Sequence, residues 1–547
     1  MDSVYDRALV EIGNNNRYQK QYDILYNVGL VLLWSMVYTN IILCLTIVPH
    51  MCKIPNNSEN ITEYSWKQKN IPTYIDIAGE VHFDSCLLFS STVNNRNHTK
   101  ECNEFVYDKT WYESTVSTEN NWVCGKELYV ANILSFSKIG ETLGSMLFGW
   151  LGDAWGRRPT LLLSLFMIIV GRFLSLLGKN SYSIFMIGCI MSAFPSWSVP
   201  QSASLISVEL SSSSRRTVIT TLRFASYSIG MALMALIFWG LRDWKLLLIA
   251  TTASLMPYLF LCWKLIESPR WLHTKGRNKE CVKALKLIAK KNRKNLTAET
   301  EAELLTAVPV AEQSVNPLIL FAGKRLALIT TLQILLWACI TLNYTVLVLR
   351  AGEKSDGNPF VNFAWQCVVE VPSNFIGAWL ADSIGRRKTS AISNLVTAAM
   401  WAIILLRDTT SISLIRHWMF SSIIVIIGRL SIFVSYYALS LLCIELYPTG
   451  LRQTGMAYGN IISSCASAAA PYILFMGRRY DIRVPGIILT IASIIAIVSS
   501  LLLPETLNAK LPETLEEAQN FGKINKVYKP SDIQAKNNLQ LLQEIKK

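Results

Sequence analysis

Apolar residues in this chain gather in long runs separated by polar segments. Twelve runs stand out, at 25–49, 128–149, 160–177, 183–206, 217–241, 246–265, 326–349, 360–381, 389–406, 419–442, 454–476 and 484–503. A bilayer core about 30 Å thick takes roughly 20 residues of helix, because hydrocarbon cannot satisfy free backbone N–H and C=O groups. The pattern therefore predicts an all-α membrane protein with twelve transmembrane helices. The first run is too long for the apolar core of a signal peptide, so it is read as an uncleaved anchor. The runs fall into an N-terminal bundle, 25–265, and a C-terminal bundle, 326–503, with a polar linker at 266–325 and polar ends at 1–24 and 504–547.

Composition agrees with this picture. Hydrophobic residues make up 51% of the chain and charged residues only 16%, more apolar material than a soluble core needs. A net charge of +14 would suit a nucleic-acid binder if the bases formed one face. They lie instead between apolar runs, as in the cytoplasmic loops of membrane proteins. Nucleic acid is set aside as a partner, and lipid is the expected surrounding.

Three features orient the chain. The loop at 50–127 carries Asn-x-Ser/Thr acceptors at Asn56, Asn60 and Asn97, useful only on the extracellular or lumenal side. It also holds Cys52, Cys86, Cys102 and Cys124, an even set that an oxidising compartment would join in two disulfides; the sequence alone allows all three connectivities. The linker is dense in bases, among them Lys290, Lys291, Arg293 and Lys294, as expected of a cytoplasmic loop. Both termini are then cytoplasmic, and the acceptor pattern at Asn295 should stay unmodified. One cluster defies the rule: Arg478, Arg479 and Arg483 fall in a short loop on the outer side.

A motif occurs twice. Gly149-Trp-Leu-Gly-Asp153-Ala-Trp-Gly156-Arg157-Arg158 follows the second run, and Gly377-Ala-Trp-Leu-Ala-Asp382-Ser-Ile-Gly385-Arg386-Arg387 follows the eighth, 377 − 149 = 228 residues later. Glu209 and Arg215 after the fourth run match Glu445 and Arg452 after the tenth, 445 − 209 = 236 residues later. Corresponding landmarks in two six-run halves predict a duplicated fold with a ligand site between the halves near the midplane. The glycines are expected to admit a neighbouring helix, and the Asp, Glu and Arg side chains to hold one half against the other at the cytoplasmic face. Remaking those contacts would bias the protein between inward-open and outward-open states.

These paired motifs resemble the major facilitator superfamily. The cysteine-bearing loop, Glu267-Ser-Pro-Arg-Trp-Leu272, Glu445-Leu-Tyr-Pro-Thr449, and Leu503-Pro-Glu-Thr506 with Leu511-Pro-Glu-Thr514 resemble its organic cation, anion and zwitterion transporter family. The resemblance covers nearly the whole chain. It implies the two-bundle major facilitator fold and a plasma-membrane carrier of small charged organic molecules, acting by facilitated diffusion or ion-coupled exchange. Membrane potential, protons or sodium are the coupling candidates, one chain is the expected functional unit, and no cofactor or metal is implied. It further implies disulfides Cys52 to Cys102 and Cys86 to Cys124.

Ionisable residues inside spans are costly in lipid and mark functional sites. They are Lys138, Glu141, Arg172, Arg223, Glu370 and Arg429. Glu370 and Arg429 match positions that the family also keeps charged and rank first, either as ligand contacts or as a structural ion pair. Lys138 and Glu141, three residues apart on one helical face, are expected to satisfy each other, and Arg172 and Arg223 to reach a surface. Trp337, Tyr344, Trp365, Tyr436 and Tyr437 are aromatic candidates for holding a cation, with packing as the alternative for all but Tyr344. At Ser464 the family's cation carriers tend to place an Asp and its anion carriers an Arg. The neutral residue leaves the sign open, with cations and zwitterions favoured by Glu370.

Nothing indicates an enzyme or an ATP-driven pump: the chain has no Walker loop, no Gly-x-Gly-x-x-Gly turn and no His-Glu-x-x-His. A channel would need a filter sequence, and a seven-helix receptor has no duplicated six-span half. The competing readings are an organic anion carrier and a non-transporting relative serving as receptor or scaffold.

Overall fold

A computed structural model describes residues 4–54, 62–75, 81–89, 99–211, 215–307, 317–321, 323–351, 357–410, 418–447, 452–507 and 515–520. Each apolar run falls on a helix, the first ending at Cys44 and not at 49. In the first bundle these are α1 (Arg17–Cys44), α2 (Leu128–Trp155), α3 (Arg157–Leu177), α4 (Tyr182–Glu209), α5 (Arg216–Leu241) and α6 (Trp244–Trp263). In the second they are α7 (Lys324–Ala351), α8 (Pro359–Val368 and Glu370–Ile384, interrupted at Val369), α9 (Arg386–Thr409), α10 (Trp418–Leu446), α11 (Arg452–Arg479) and α12 (Val484–Leu502).

Ten of the twelve are long and apolar enough to cross a membrane by length and composition. The exceptions are the motif-bearing pair. α2 carries Lys138, Glu141 and Asp153, and α8 is divided into pieces of 10 and 15 residues ahead of Glu370. Neighbouring helices bury Glu141 of α2 and Glu370 of α8, while Asp153 and Asp382 near the helix ends stay exposed.

The packing repeats with a shift of six helices. In the first bundle α1 packs on α5, α2 on α4, and α3 on α4 and α6; in the second α7 packs on α11, α8 on α10, and α9 on α10 and α12. The bundles meet through α2 with α11 and α5 with α8, two interfaces that the same shift interchanges. Two related bundles around a pseudo-twofold axis thus follow from the contacts themselves.

One end of the molecule carries the loop between α1 and α2. It holds three two-stranded antiparallel sheets, β1 (His50–Cys52) with β6 (Phe105–Tyr107), β2 (Thr73–Ile75) with β3 (Val81–Phe83), and β4 (Leu87–Phe89) with β5 (Thr99–Glu101). Such short ribbons bury little apolar surface, and disulfides hold them together. Cys52 joins Cys102 and Cys86 joins Cys124, each with Cα atoms 5.7 Å apart; this is the connectivity the family resemblance implies. Asn56, Asn60 and Asn97 lie outside the described residues.

The opposite end carries the duplicated motifs. There Pro269–Thr274, Asn278–Asn292 and Ala298–Thr306 pack with the N-terminal helix Val4–Ile12 in one apolar cluster including Tyr5, Ile12, Trp271, Leu285 and Ile288. Of the segment 1–24, expected as a polar cytoplasmic end, residues 4–12 are thus folded onto the linker and 17–24 open α1. Its buried Asp23 pairs with Arg215.

Candidate functional site

At the motif end, α2 passes into α3 through Gly156 alone, and α8 into α9 through Gly385 alone. Both glycines hold positive φ, +113° and +99°, where a Cβ is strained. A Cβ there would also meet a carboxylate oxygen at 2.5 Å, that of Glu267 or Glu505 respectively. These carboxylates cap the next helix: Glu267 accepts from the backbone N–H of Arg157 at 3.1 Å, and Glu505 from that of Arg386 at 2.9 Å. Arg157 reaches Asp153 at 2.5 Å and Glu209 at 3.4 Å; Arg386 reaches Asp382 at 3.3 Å and Glu445 at 3.2 Å. Arg158 donates to the Trp263 carbonyl, and its counterpart Arg387 is half-buried in the second copy's turn.

These clusters correct two expectations. Each lies inside its own bundle, clasping one helix turn to two neighbouring helix ends, and the bundles are joined elsewhere. Glu209 is reached by Arg157 and not by Arg215, because Asp23 and Ser207 form a buried polar pocket that takes the Arg215 guanidinium. The Arg452 side chain lies outside the described residues. Of the two leading glycines expected to admit a neighbouring helix, Gly377 does so and Gly149 does not. A Cβ on Gly149 would meet nothing within 4 Å, and one on Gly377 would meet Tyr437 of the same bundle at 3.2 Å. The sequence reading missed Glu267 and Glu505 as a matched pair; their spacing, 505 − 267 = 238 residues, is close to that of the other landmarks.

Two polar contacts between the bundles lie towards the loop end. Glu127 at the start of α2 pairs with Arg478 at the end of α11, and one turn deeper Tyr472 donates to Asn132 at 2.9 Å. Tyr112 of the loop packs between Phe238 of α5 and Phe360 of α8, at ring distances of 5.6 and 4.7 Å. The arginine cluster that broke the loop-charge rule therefore supplies a bond between halves.

Near the middle, Glu370 and Arg429 form an ion pair at 2.6 Å with both side chains fully buried. Gln366 accepts from Arg429 at 3.2 Å, and Ser228 of α5 donates to the other Glu370 oxygen at 2.7 Å. The pair is closed on protein partners, as its structural alternative has it. Of the aromatic candidates, Tyr344 lines the cavity described next. Trp337 packs on Gly459 and Tyr436 in the second core, Trp365 is 58% exposed on the outside of the bundle, and Tyr437 faces Gly377. Ser464 is half-buried, whereas its neighbours Ser463 and Ser467 bond Thr341 and Thr345 of α7 at 3.1 and 3.0 Å.

The cavity lies between the bundles and is lined from α1 to α5 and from α7 and α11, with a volume of about 90 Å³. Its ionisable side chains, tyrosines and Cys189 apart, are Lys138, Glu141 and Arg172. Glu141 is buried and accepts from Lys138 at 3.1 Å, Tyr38 at 3.0 Å and Trp197 at 2.5 Å. Lys138 sits over the Tyr38 ring at 4.8 Å, and Tyr38 stacks on Trp34 at 5.1 Å beside Trp197 and Tyr227. Lys138 and Glu141 do pair, as expected, but in a cavity wall. Arg172 reaches no surface: it is 4% exposed and anchored to the Val37 carbonyl at 2.8 Å. Three charges inside apolar runs were the available signal; which of them share a space was not visible from spacing.

Two related bundles enclosing a charged, aromatic-walled cavity define a carrier, not an enzyme. The profile described as sugar (and other) transporter matches residues 85–518, and the chain belongs to that family. Among curated proteins, the organic cation transporter protein of Drosophila melanogaster is 29% identical over 95% of both chains. The beta-alanine transporter of the same organism is 31% identical over 76% of this chain and 68% of its own. Human organic cation/carnitine transporter 2 is 26% identical over 86% of each. Among solved structures, the xylose transporter XylE from E. coli, in an inward-open conformation, superposes with a TM-score of 0.56 at 12% identity, covering 92% of this chain and 100% of its own. The fold is that of the major facilitator superfamily.

Proposed function

We propose that this protein carries small organic cations or zwitterions across the plasma membrane by alternating access, with the loop end outside and both termini in the cytoplasm. The observation that carries the reading is the cavity between the bundles, where Lys138 and Glu141 present opposite charges within an aromatic wall. Relatives named for organic cations, carnitine and beta-alanine point to the same class. Glu127, Arg478, Asn132 and Tyr472 join the bundles at the loop end, while the motif clasps close on their own bundles, which supports an inward-facing conformation. The cavity is small beside the roughly 300–1,000 Å³ of typical ligand pockets, and the bundles would part further to admit a substrate.

The test is uptake of labelled tetraethylammonium, carnitine and beta-alanine into cells expressing the protein, repeated across pH, sodium and membrane potential to read the coupling. Glu141→Gln is expected to lower uptake about tenfold or more at equal surface abundance. Full uptake by that variant would take the cavity out of the pathway. Extracellular glycosidase shortening the protein through Asn97, with Asn295 untouched, checks the orientation.

A further inference from the structure

Counted through the middle of the molecule, the charges within the spans are unbalanced. Lys138, Arg172, Arg223 and Arg429 face only Glu141 and Glu370, 4 − 2 = 2 positive charges in excess. Arg429 and Lys138 have carboxylate partners. Arg172 does not. It is 4% exposed, lines the cavity, and spends only Nη2 on the protein, through the Val37 carbonyl. Its Nε and Nη1 have no hydrogen-bond partner among the described residues, and its ionisable neighbours are the thiols of Cys44 and Cys189, not a carboxylate. A buried guanidinium with two open donors is costly unless an anion meets it, and its planar fork fits a carboxylate with two parallel bonds.

Another part of the cavity wall has the reverse character. Glu141 accepts from Tyr38 and Trp197, on which Tyr227 packs, and these π faces with a carboxylate suit an ammonium group. α1 links the two: Val37 holds Arg172 and the next residue, Tyr38, holds Glu141. Resting on the carrier reading above, we infer that the substrate is a short zwitterion whose carboxylate binds Arg172 and whose ammonium replaces Lys138 at Glu141. A bare cation fits less well, because it would leave Arg172 unmatched and add to the excess positive charge.

The assignment predicts discrimination by wild-type protein alone. Among beta-alanine, propylamine and propionate, the zwitterion should be taken up, and the fragments bearing one charge should compete about tenfold or more weakly. Arg172→Gln should raise KM for beta-alanine about ten- to a hundredfold, and Arg172→Lys should recover part of that loss. Thermal stabilisation of the purified proteins by the same three probes supplies a readout independent of transport. If the glutamine variant fails to reach the surface, the wild-type comparison and its thermal shifts still decide. Equal uptake of propylamine and beta-alanine, or an unchanged KM in Arg172→Gln, overturns the assignment and leaves the carrier reading standing. No uptake of any organic ion, with no thermal shift, overturns both.

Discussion

At the motif end the two bundles are nearly interchangeable. Asp153, Arg157, Glu209, Glu267 and Gly156 have counterparts in Asp382, Arg386, Glu445, Glu505 and Gly385, down to a carboxylate lying where a glycine Cβ would stand. At the midplane the correspondence ends. The second bundle closes Glu370 and Arg429 on each other, while the first turns Lys138, Glu141 and Arg172 towards the cavity. Duplication is kept where both halves do the same mechanical job, and lost where a ligand without twofold symmetry would be held. The clasp sets the shape of each bundle; the asymmetric charges give the cavity its chemistry.

The largest effect expected from breaking this contrast is at the buried pair. Glu370→Gln leaves Arg429 without its carboxylate in a fully buried site, and should cost about 3–5 kcal/mol of stability, seen as a lower melting temperature and reduced surface abundance. Combining it with Arg429→Met should return part of the loss. A Glu370→Gln protein of normal stability but no uptake would move the pair from the frame to the binding site.

Next come the repeated turns. Gly156→Ala and Gly385→Ala both place a Cβ at positive φ against a carboxylate, and each should destabilise by about 1–3 kcal/mol. Similar losses in the two variants, measured by thermal melting in detergent, would confirm the mechanical equivalence of the copies. A loss confined to one would break it.

A smaller effect belongs to the bond between halves. Arg478 is one-third exposed, so removing it should cost about 1 kcal/mol or less. Because that energy favours the state closed at the loop end, Arg478→Gln should raise the reactivity of a cysteine introduced at Ser137 towards an impermeant thiol reagent several-fold. The reversed pair, Glu127→Arg with Arg478→Glu, should restore protection.

The smallest is a pH dependence at the first clasp. Burial lifts the Glu267 carboxyl above its ordinary value, against the lowering effect of the Ser268, Arg158 and Arg157 N–H groups. The folded protein then holds this proton more tightly than the unfolded chain. The contribution to stability is full below the ordinary carboxylate range and is lost as pH rises through the lifted value. Glu267→Gln should flatten that part of the melting profile, from the ordinary carboxylate range upward.

How much of this was legible in the chain differs by level. Apolar run length located the helices, since lipid leaves a backbone few other choices, and the repeated Asp and Gly-Arg-Arg spacing gave away the duplication. The spacing also brought Lys138 to Glu141, one helical turn apart. It could not show that Arg157 would take Glu209 while Arg215 turned to Asp23, 192 residues away, because those choices depend on which helix ends are neighbours.

The sequence by itself determined the class of protein: a run of about twenty apolar residues has one stable form in a bilayer, and a motif recurring 228 residues later means a second copy of the bundle. Only the tertiary structure decided which intramembrane charges are closed on each other and which face a common space. Burial and pairing are properties of distance in three dimensions, and helices far apart in the chain set that distance.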